Sequence, residues 1–559
     1  MTMRRIGGAA LVLCSIAWLG AGDLSLAQSL PRLVVIISDL HFGVGKVNGQ
    51  WHPAEDFRWA PEFEAFLDYV RWRGGGRTTL VFNGDTFELW QSLSQFDAMQ
   101  ECTKDPGSRS ENVACPPPPD CLYTNLDLGC ELVEARARLS RAIAEHRREL
   151  AAVGTFAASD DNRVVLVPGN HDAALLWKPL AADVVAATGA PSGRVQVSSE
   201  GYWRSDDGRI FAEHGHEIGE DPNRFCQPPL SCTWPRPFIP GARPPAIHLA
   251  RPWGEQFVQS FYNRYEQRYP IIDNLASEAL GVRYGIAAEG LGGLFGGLGT
   301  FVKFLLTQES WSQFAQILGE GDRAPEWDLK AMQAISPKEF LLASLRTDDP
   351  LRQSLAADPA PVPTLSDDDI RAVCERREIT RKGLPDNRLN EVPPCPRGPK
   401  VLRTAREYLF VARDKIFKKH LDLRRSMSGT PRDFQVFVYS HTHKAEEAFS
   451  PFDSGDPTAA PPPGSWRPLV VNSGAWQRVV TETQLGALMK QRNLSAADVL
   501  RLVPEDLPPC YSAIVIDERD RRLDPGLRWW HRTSDGQWTL SPPSRAPECP
   551  ETTVRRANN

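Results

Sequence analysis

The sequence lacks most of the short motifs that identify a common catalytic chemistry. It contains no GxSxG nucleophile motif, no glycine-rich P-loop and no CxxC pair. The first two absences argue against a serine hydrolase of the usual kind and a P-loop nucleotide-binding site. The third argues against a structural zinc site built from thiolates. No internal repeat is apparent either, so a repeat architecture is not indicated.

An excess of positive charge is also missing. The chain has 64 Lys and Arg against 70 Asp and Glu, with a net charge of −6, and therefore carries no nucleic-acid footprint. Charged residues at 24% and apolar residues at 41% are typical of a soluble globular protein.

The first 27 residues are expected to be a secretory signal. Arg4 and Arg5 precede an apolar run over residues 6–22, and small residues lead up to Ala27. The run is shorter than the roughly 20 apolar residues that a membrane-spanning helix needs. We expect cleavage after Ala27 and a periplasmic or secreted protein.

Cysteine usage agrees with export. Of 11 cysteines, Cys14 lies in the predicted signal, which leaves an even number for an oxidising compartment. The others form local groups: Cys102, Cys115, Cys121 and Cys130; Cys226 with Cys232; Cys374 with Cys395; Cys510 with Cys549. We expect disulfide bonds that cross-link surface insertions, with the pairing inside the first group open.

Five predicted strands each end in polar residues. A continuous apolar, β-branched run predicts a strand over 33–38, and further strands are predicted over 78–82, 164–167, 209–213 and 434–440. The motifs that follow them are Asp39-Leu40-His41, Gly84-Asp85, Gly169-Asn170-His171-Asp172, His214-Gly215-His216 and His441-Thr442-His443. Helices predicted over 61–72 and from 131 to about 153 alternate with these strands. The alternation predicts an α/β fold with mainly parallel strands, whose site lies at their carboxyl ends.

The chemistry of these ends favours metal binding. Residues i and i+2 on an extended backbone point the same way, so His441 and His443 can reach one site. Carboxylate, imidazole and amide ligands suit two divalent ions such as Mn²⁺, Fe or Zn²⁺. Two ions need a bridging carboxylate, for which Asp85 is the natural candidate. His216 points the same way as His214, and we favour His214 because it directly precedes Gly215.

In this order the motifs resemble the calcineurin-like metallophosphoesterase superfamily. A further segment, Asn472-Ser473-Gly474-Ala475-Trp476, resembles the closing turn of that family. The resemblance covers roughly residues 32–220 and 430–530, and it implies a layered β-sandwich flanked by helices. One departure is Ser440, which stands where the family usually has glycine before its HxH motif.

The resemblance also implies roles for individual residues. One metal ion would be held by Asp39, His41, Asp85 and His443. The other would be held by Asp85, Asn170, His214 and His441. The resemblance makes His171 the residue that contacts the phosphate or protonates the leaving oxygen, with Asp172 orienting it as a general-acid pair.

The segment Thr86-Phe87-Glu88-Leu89-Trp90 resembles the branch that contains the UDP-diacylglucosamine hydrolases. The predicted signal argues against that specific activity, because those enzymes act on the cytoplasmic side. For Phe87 and Trp90 we expect core packing beneath the site.

Insertions divide the predicted catalytic domain. We expect its first part over 28–225, with a Cys- and Pro-rich loop at about 100–130. A mostly helical insertion with Pro-rich linkers over 226–430 is followed by the second part over 431–540 and a tail over 541–559. Within the insertion, the Gly-rich segment 290–302 predicts a closely packed helix or, alternatively, a lid that faces lipid or substrate, or a flexible loop.

These features predict an exported hydrolase that needs two divalent ions and cleaves a phosphomonoester or phosphodiester by in-line attack of a metal-bound hydroxide. Two ions lower the pKa of a bound water towards about 7 and stabilise the phosphoryl oxygens. The alternative is a catalytically silent relative that binds a cell-envelope partner through its insertions.

Overall fold

The structure of the chain is a computed structural model. It describes residues 32–91, 131–219, 223–226, 232–240, 247–252, 254–255, 258, 263–266, 269–275, 416–426, 433–452, 466–494, 496–499, 501–519, 522–550 and 552. The predicted signal, the Cys-rich loop and the segment Gly290–Val302 lie outside these residues, as do most of the predicted insertion and its linkers.

The strands follow one another along the chain as β1 Leu33–Ile37, β2 Lys46–Val47, β3 Gln50–Trp51, β4 Thr78–Asn83, β5 Arg163–Val167, β6 Val195–Val197, β7 Trp203–Arg204, β8 Ile210–Ala212, β9 Phe238–Pro240, β10 Ile247–Leu249, β11 Val436–Tyr439, β12 Glu446–Phe449, β13 Leu469–Asn472, β14 Cys510–Arg519, β15 Arg522–Arg532 and β16 Trp538–Ser541. The helices are α1 Ala60–Arg73, α2 Leu132–Glu145, α3 Arg147–Ala158, α4 Lys178–Thr188, α5 Asn263–Glu266, α6 Glu482–Arg492 and α7 Ala496–Val499. Residues 416–426 are also helical.

Two mixed sheets form the centre of the fold. The larger has the order β16-β15-β14-β1-β4-β5-β6, in which β1, β4, β5 and β6 are parallel and β14 to β16 antiparallel. The smaller has the order β12-β13-β11-β8-β7, with β8, β11 and β13 parallel. The predicted α/β class is confirmed. The antiparallel β-ribbon of β14 to β16 was not expected from the strand–helix alternation.

The alternation of side chains along β1 shows how the layers are built. Val35 and Ile37 pack into a core with α1 to α4, whereas Val34 and Ile36 pack into a second core. That second core also contains residues of β8, β11 and β13, so it lies between the two sheets. Every residue of β1 is buried, as expected for a strand that is covered on both faces.

The helix predicted from residue 131 to about 153 is two helices, α2 and α3, separated by His146. The buried ring of His146 stacks on Phe42 at 4.7 Å between ring centroids, and its Nε2 lies 3.3 Å from Glu55 Oε1. These tertiary contacts hold the non-helical backbone of His146, and helical periodicity does not reveal them.

In the part of the chain that the structure describes, no helix is both long and apolar enough to cross a bilayer.

Two of the predicted cysteine pairs are joined. Disulfides connect Cys226 with Cys232 and Cys510 with Cys549, with Cα–Cα distances of 5.1 and 5.5 Å. The second bond joins β14 to residues beyond β16, so this stretch of the predicted tail is anchored to the large sheet. The remaining cysteine groups lie outside the described residues.

Candidate metal centre

The five strand ends predicted to carry the site meet at one place. Three groups of side chains at this place each bring three ligand atoms within 4.8 Å of one another, and two of these groups consist entirely of predicted metal ligands. The Asp39 group consists of Asp39, His41 and His443, and the Asp85 group of Asp85, His214 and His441. The carboxyl ends of β1 and β4 in the large sheet and of β8 and β11 in the small sheet supply both groups.

The backbone at these ends adopts an unusual conformation. Asp39, His41, Asp85, His441 and His443 all have positive φ angles, between 50° and 71°. Such angles are uncommon for residues other than glycine and cluster at functional sites. Backbone bonds hold neighbouring ends together: the Asp39 N–H donates to Gly84 at 3.1 Å, and the His41 N–H donates to the Asp85 carbonyl at 3.0 Å.

Asp39 is fully buried at the centre of its group. Among the described residues, neither carboxylate oxygen accepts a hydrogen bond, and Oδ1 lies 3.3 Å from Nε2 of the partly exposed His443. Burial would raise the pKa of Asp39, but the nearby His214 and His443 lower it overall. A buried carboxylate that is ionised and lacks donors is suited to a cation.

The two ring nitrogens of His41 have different surroundings. Its Nδ1 lies 2.8 Å from Glu88 Oε2, while the buried Nε2 has no hydrogen-bond partner in the described part of the chain. A carboxylate on one imidazole nitrogen fixes the tautomer and directs the lone pair of the other nitrogen toward a metal.

His214 provides the clearest test of whether a metal fits. Its Nδ1 lies 3.0 Å from the Asn83 carbonyl oxygen, which can only accept, so Nδ1 carries a proton. Its Nε2 lies 2.8 Å from both Asp85 Oδ2 and Asn170 Oδ1, and neither an ionised carboxylate nor an amide oxygen can donate to it. Nε2 must therefore be protonated or share a cation with these oxygens. Burial alone would lower the pKa of His214, but Asp85 and Asp39 raise it to about 9.

At two positions near Asp85, the backbone lies so close to a site side chain that only glycine fits. A Cβ on Gly169 would lie 2.2 Å from Asp85 Oδ1, and a Cβ on Gly84, at φ +95°, would lie 2.2 Å from His214 Nδ1. Oδ1 of Asp85 also accepts the His171 N–H at 2.8 Å. The main-chain carbonyl of Asp85 accepts the His41 N–H, and the charge of Asp85 raises the pKa of Asp39, so Asp85 lies next to the Asp39 group as well as in its own.

Ser440 takes over a positioning role at the place where the resemblance leads one to expect glycine. Its buried hydroxyl donates toward the Asn83 carbonyl at 2.7 Å and lies 3.1 Å from Nδ1 of His214. The side chain thus ties the end of β11 to β4 and supports the imidazole of a candidate ligand. His441 Nε2, in turn, lies 3.2 Å from Nδ2 of Asn223.

Glu88 is the functional residue that sequence reasoning missed. Its Oε2 lies 2.6 Å from His171 Nδ1 as well as 2.8 Å from His41 Nδ1, and the Glu88 side chain is buried. Burial would raise the pKa of Glu88, but His171 and His41 lower it to about 2. The available signal was an acidic residue three positions after Asp85, between Phe87 and Trp90, the two residues for which we expected core packing.

Asp172 does not contact the ring of His171 in the way that the resemblance suggested. Its buried oxygens accept N–H groups of Gly169 at 2.7 Å, Thr86 at 2.9 Å and Phe87 at 3.3 Å. The carboxylate at the His171 ring is that of Glu88, and Asp172 instead joins the loops after β4 and β5. Burial, reinforced by the charge of Asp85, raises the pKa of Asp172 to about 7.

The aromatic residues after Asp85 have different positions. Phe87 is buried in the core on the helical side of the large sheet. Trp90 is buried too, but its ring stacks on His171 with the centroids 4.1 Å apart. Trp90 therefore forms a wall of the site.

His216 lies beside the Asp85 group without belonging to it. Its ring centroid is 5.5 Å from that of His214, and the ring packs edge-on against Trp234 at 4.3 Å. Burial, together with the charges of His214 and His441, keeps the pKa of His216 well below its usual range. The position is compatible with our choice of His214 as the candidate ligand.

Comparison of the chain with protein-family models, with curated proteins and with solved structures found no match.

Proposed function

We propose that the chain is a phosphoesterase that uses two divalent metal ions. The observation that carries the proposal is the pair of adjacent ligand groups around Asp39 and Asp85. Both carboxylate oxygens of Asp39 and Nε2 of His41 have no hydrogen-bond partner among the described residues, and Nε2 of His214 faces two acceptor oxygens. A mixed set of carboxylate, imidazole and amide ligands suits Mn²⁺, Fe or Zn²⁺.

Each group would hold one ion. Asp39, His41 and His443 would bind the first, and His214, His441 and Asn170 the second, with Asp85 next to both. When bound, two such ions would activate water at neutral pH and stabilise charge on the phosphoryl oxygens.

Residues of the chain itself would bind and orient the substrate. His171 is partly exposed, and its Nδ1 faces Glu88. Nε2 is therefore the ring nitrogen that can donate a proton to the leaving oxygen. Glu88 fixes the ring from one side, while Trp90 supports its face. Because Glu88 also orients His41, it couples the proposed proton donor to a metal ligand.

The test is hydrolysis of 4-nitrophenyl phosphate and bis(4-nitrophenyl) phosphate by the chain from Gln28 onward, with Mn²⁺ and then with a chelator. We expect turnover that the chelator abolishes and Mn²⁺ restores, and the ratio of the two rates identifies the class of ester. Turnover that persists in chelator would contradict the dimetal mechanism. Absence of both turnover and bound metal would contradict the proposed hydrolase.

A further inference from the structure

Three carboxylates form a separate cluster outside the candidate metal centre. Asp56 precedes α1, Glu266 lies at the end of α5, and Asp273 lies in a short 3-10 helix that follows. One oxygen atom of each lies within 4.8 Å of the other two, and we call these three residues the carboxylate cluster. Asp56 and Glu266 are only 5% and 6% exposed. Carboxylates buried together in this way need either a proton or a cation.

The charges around the carboxylate cluster are mostly negative as well. Burial raises the pKa of Glu266 well above its usual range, and the charges of Asp273, Asp56 and Glu88 raise it further. Burial also raises the pKa of Asp56 well above its usual range, with Asp273 reinforcing the shift and His41 opposing it. The surroundings therefore favour the uptake of positive charge, and a shared proton is the simplest alternative to a metal ion.

Buried acceptor atoms favour the metal ion over the proton. Oε2 of Glu266 is buried and has no hydrogen-bond partner among the described residues, and the same is true of Oδ1 of Asn263. These two residues are three positions apart on α5, so their side chains lie on the same face of the helix. A proton shared by Glu266 and Asp273 would leave both of these oxygens without a donor.

A second amide lies next to the cluster in sequence. Asn274 directly follows Asp273, is fully buried, and has no hydrogen-bond partner for either polar atom of its side chain in the described part of the chain. The amide of Asn263 has a defined orientation, because its Nδ2 donates to the Trp90 carbonyl at 3.1 Å and its Oδ1 is therefore an acceptor. Carboxylate oxygens are thus accompanied by amide oxygens that lack donors.

This set of ligands differs in kind from the dimetal centre. It contains oxygen atoms and no imidazole, which suits a hard cation such as Ca²⁺. Oxygens that bind one Ca²⁺ at about 2.3–2.6 Å lie at most about 5 Å apart, and the carboxylate cluster meets this limit. Carboxylates and amide carbonyls are the usual protein ligands of Ca²⁺, and water completes its coordination.

We propose that the carboxylate cluster, together with Asn263, binds one Ca²⁺ ion. This site is distinct from the dimetal centre and does not depend on the proposed phosphoesterase activity. The ion would fasten residues 263–275, which belong to the predicted insertion, to the loop before α1. Because Asn263 also donates to Trp90, the ion would support the wall of the site beside His171.

The test is the calcium content of the chain from Gln28 onward, supplied with about two equivalents of Mn²⁺ and then with excess Ca²⁺. We expect about one bound Ca²⁺ per chain by mass spectrometry, without loss of Mn²⁺. Asp56→Asn and Glu266→Gln should each weaken Ca²⁺ binding by about tenfold or more, because each removes a ligand charge. Glu64→Gln, at an exposed carboxylate that pairs with Arg148, is the matched control and should bind Ca²⁺ as wild type does.

Hydrogen exchange of the wild-type protein locates the ion without any variant. Ca²⁺ should slow amide exchange in residues 54–57 and 263–275 and should raise the midpoint of thermal unfolding by a few degrees. A wild-type protein that binds no Ca²⁺ would show that the carboxylates share protons instead. That result, unchanged exchange in these segments, or full Ca²⁺ binding in Glu266→Gln would overturn the proposal.

Failure of the dimetal centre would look different. A protein that binds Ca²⁺ at the carboxylate cluster but holds no Mn²⁺ would retain this site and reject the proposed phosphoesterase. A protein that holds Mn²⁺ and hydrolyses phosphate esters, but does not bind Ca²⁺, would retain the phosphoesterase and reject this site.

Discussion

The two ligand groups of the candidate centre differ in how their members are held. In the Asp85 group, Asp85 and Asn170 both approach His214 at 2.8 Å, and Asp85 also accepts a backbone N–H. In the Asp39 group, the closest contact of the Asp39 carboxylate with a ligand partner is 3.3 Å, to a histidine whose side chain is 22% exposed. Asp85 is therefore tied into the folded scaffold by contacts that the Asp39 carboxylate lacks, and we expect the position of the Asp39 carboxylate to depend more on the proposed ion.

The largest effect should follow from replacing the carboxylate that lies next to both groups. Asp85→Asn keeps the shape but removes the negative charge, and we expect kcat to fall by about 10³-fold or more because both proposed ions lose a ligand. Steady-state hydrolysis in saturating Mn²⁺ measures this loss. Asp183→Asn, at a partly exposed carboxylate that pairs with Arg136, should have wild-type activity, and an active Asp85→Asn variant would exclude a shared role for Asp85.

Replacement of Glu88 should have the next largest effect. Glu88→Gln removes the charge that orients His41 and His171, and we expect a loss of about 10- to 100-fold in activity or metal affinity. The exposed carboxylate Glu64, replaced by Gln, is the matched control for activity. Unchanged activity and metal affinity in Glu88→Gln would show that Glu88 is only a structural partner of the two rings.

The same variant has a defined pH dependence of stability. The pKa of Glu88 is lowered to about 2 from an ordinary value near 4.5. The stabilisation from its charge is therefore fully present above about pH 4.5 and is lost as the pH falls toward 2. Urea unfolding of the metal-free protein should show wild type more stable than Glu88→Gln near neutral pH, with the difference shrinking below pH 4.5. A difference that grows in acid would contradict the assigned ion pairs.

The stability of metal-free variants should show directly whether the Asp85 group and the Asp39 group differ in this way. Asp85→Ala removes the contact with His214 and the acceptor of the His171 N–H, and we expect it to lower the free energy of unfolding of the metal-free protein by about 1–3 kcal/mol. Asp39→Ala removes no such hydrogen bond, so we expect a smaller decrease in the free energy of unfolding. Urea unfolding in chelator measures both, and equal costs would remove the distinction between the groups.

The smallest effect is expected at Ser440. Ser440→Ala removes a buried hydroxyl that lies between Asn83 and His214, which should cost about 1 kcal/mol of stability and a few-fold in activity. Ser199→Ala, at a position outside the core, is the control. A variant indistinguishable from wild type would show that the hydroxyl does not hold His214.

Sequence reasoning was most successful where local chemistry decides the outcome. Buried β-branched runs predicted β1, β4 and β5, and the polar residues at their ends converge because parallel strands place their carboxyl ends at one edge. Glu88 and Asp172 show where this reasoning fails. Which of the two carboxylates reaches His171 depends on how the loops after β4 and β5 fold against each other.

Other features also required tertiary information. The break at His146 follows from contacts with Glu55 and Phe42, which are distant in sequence. Arg138 on α2 lines the same cavity as His171, and this arrangement depends on how α2 packs in the fold. Neither residue carries a periodic or motif signal of its own.

The most direct test of the central claim is the metal content of the protein. Wild type, Asp39→Ala and Asp85→Ala should be dialysed against Mn²⁺, and the bound metal measured by mass spectrometry. We expect about two ions per wild-type chain, a loss of about one in Asp39→Ala, and a loss of more than one in Asp85→Ala. Wild-type protein that binds no metal, or variants that retain the wild-type content, would contradict the assignment of these strand ends as a dimetal centre.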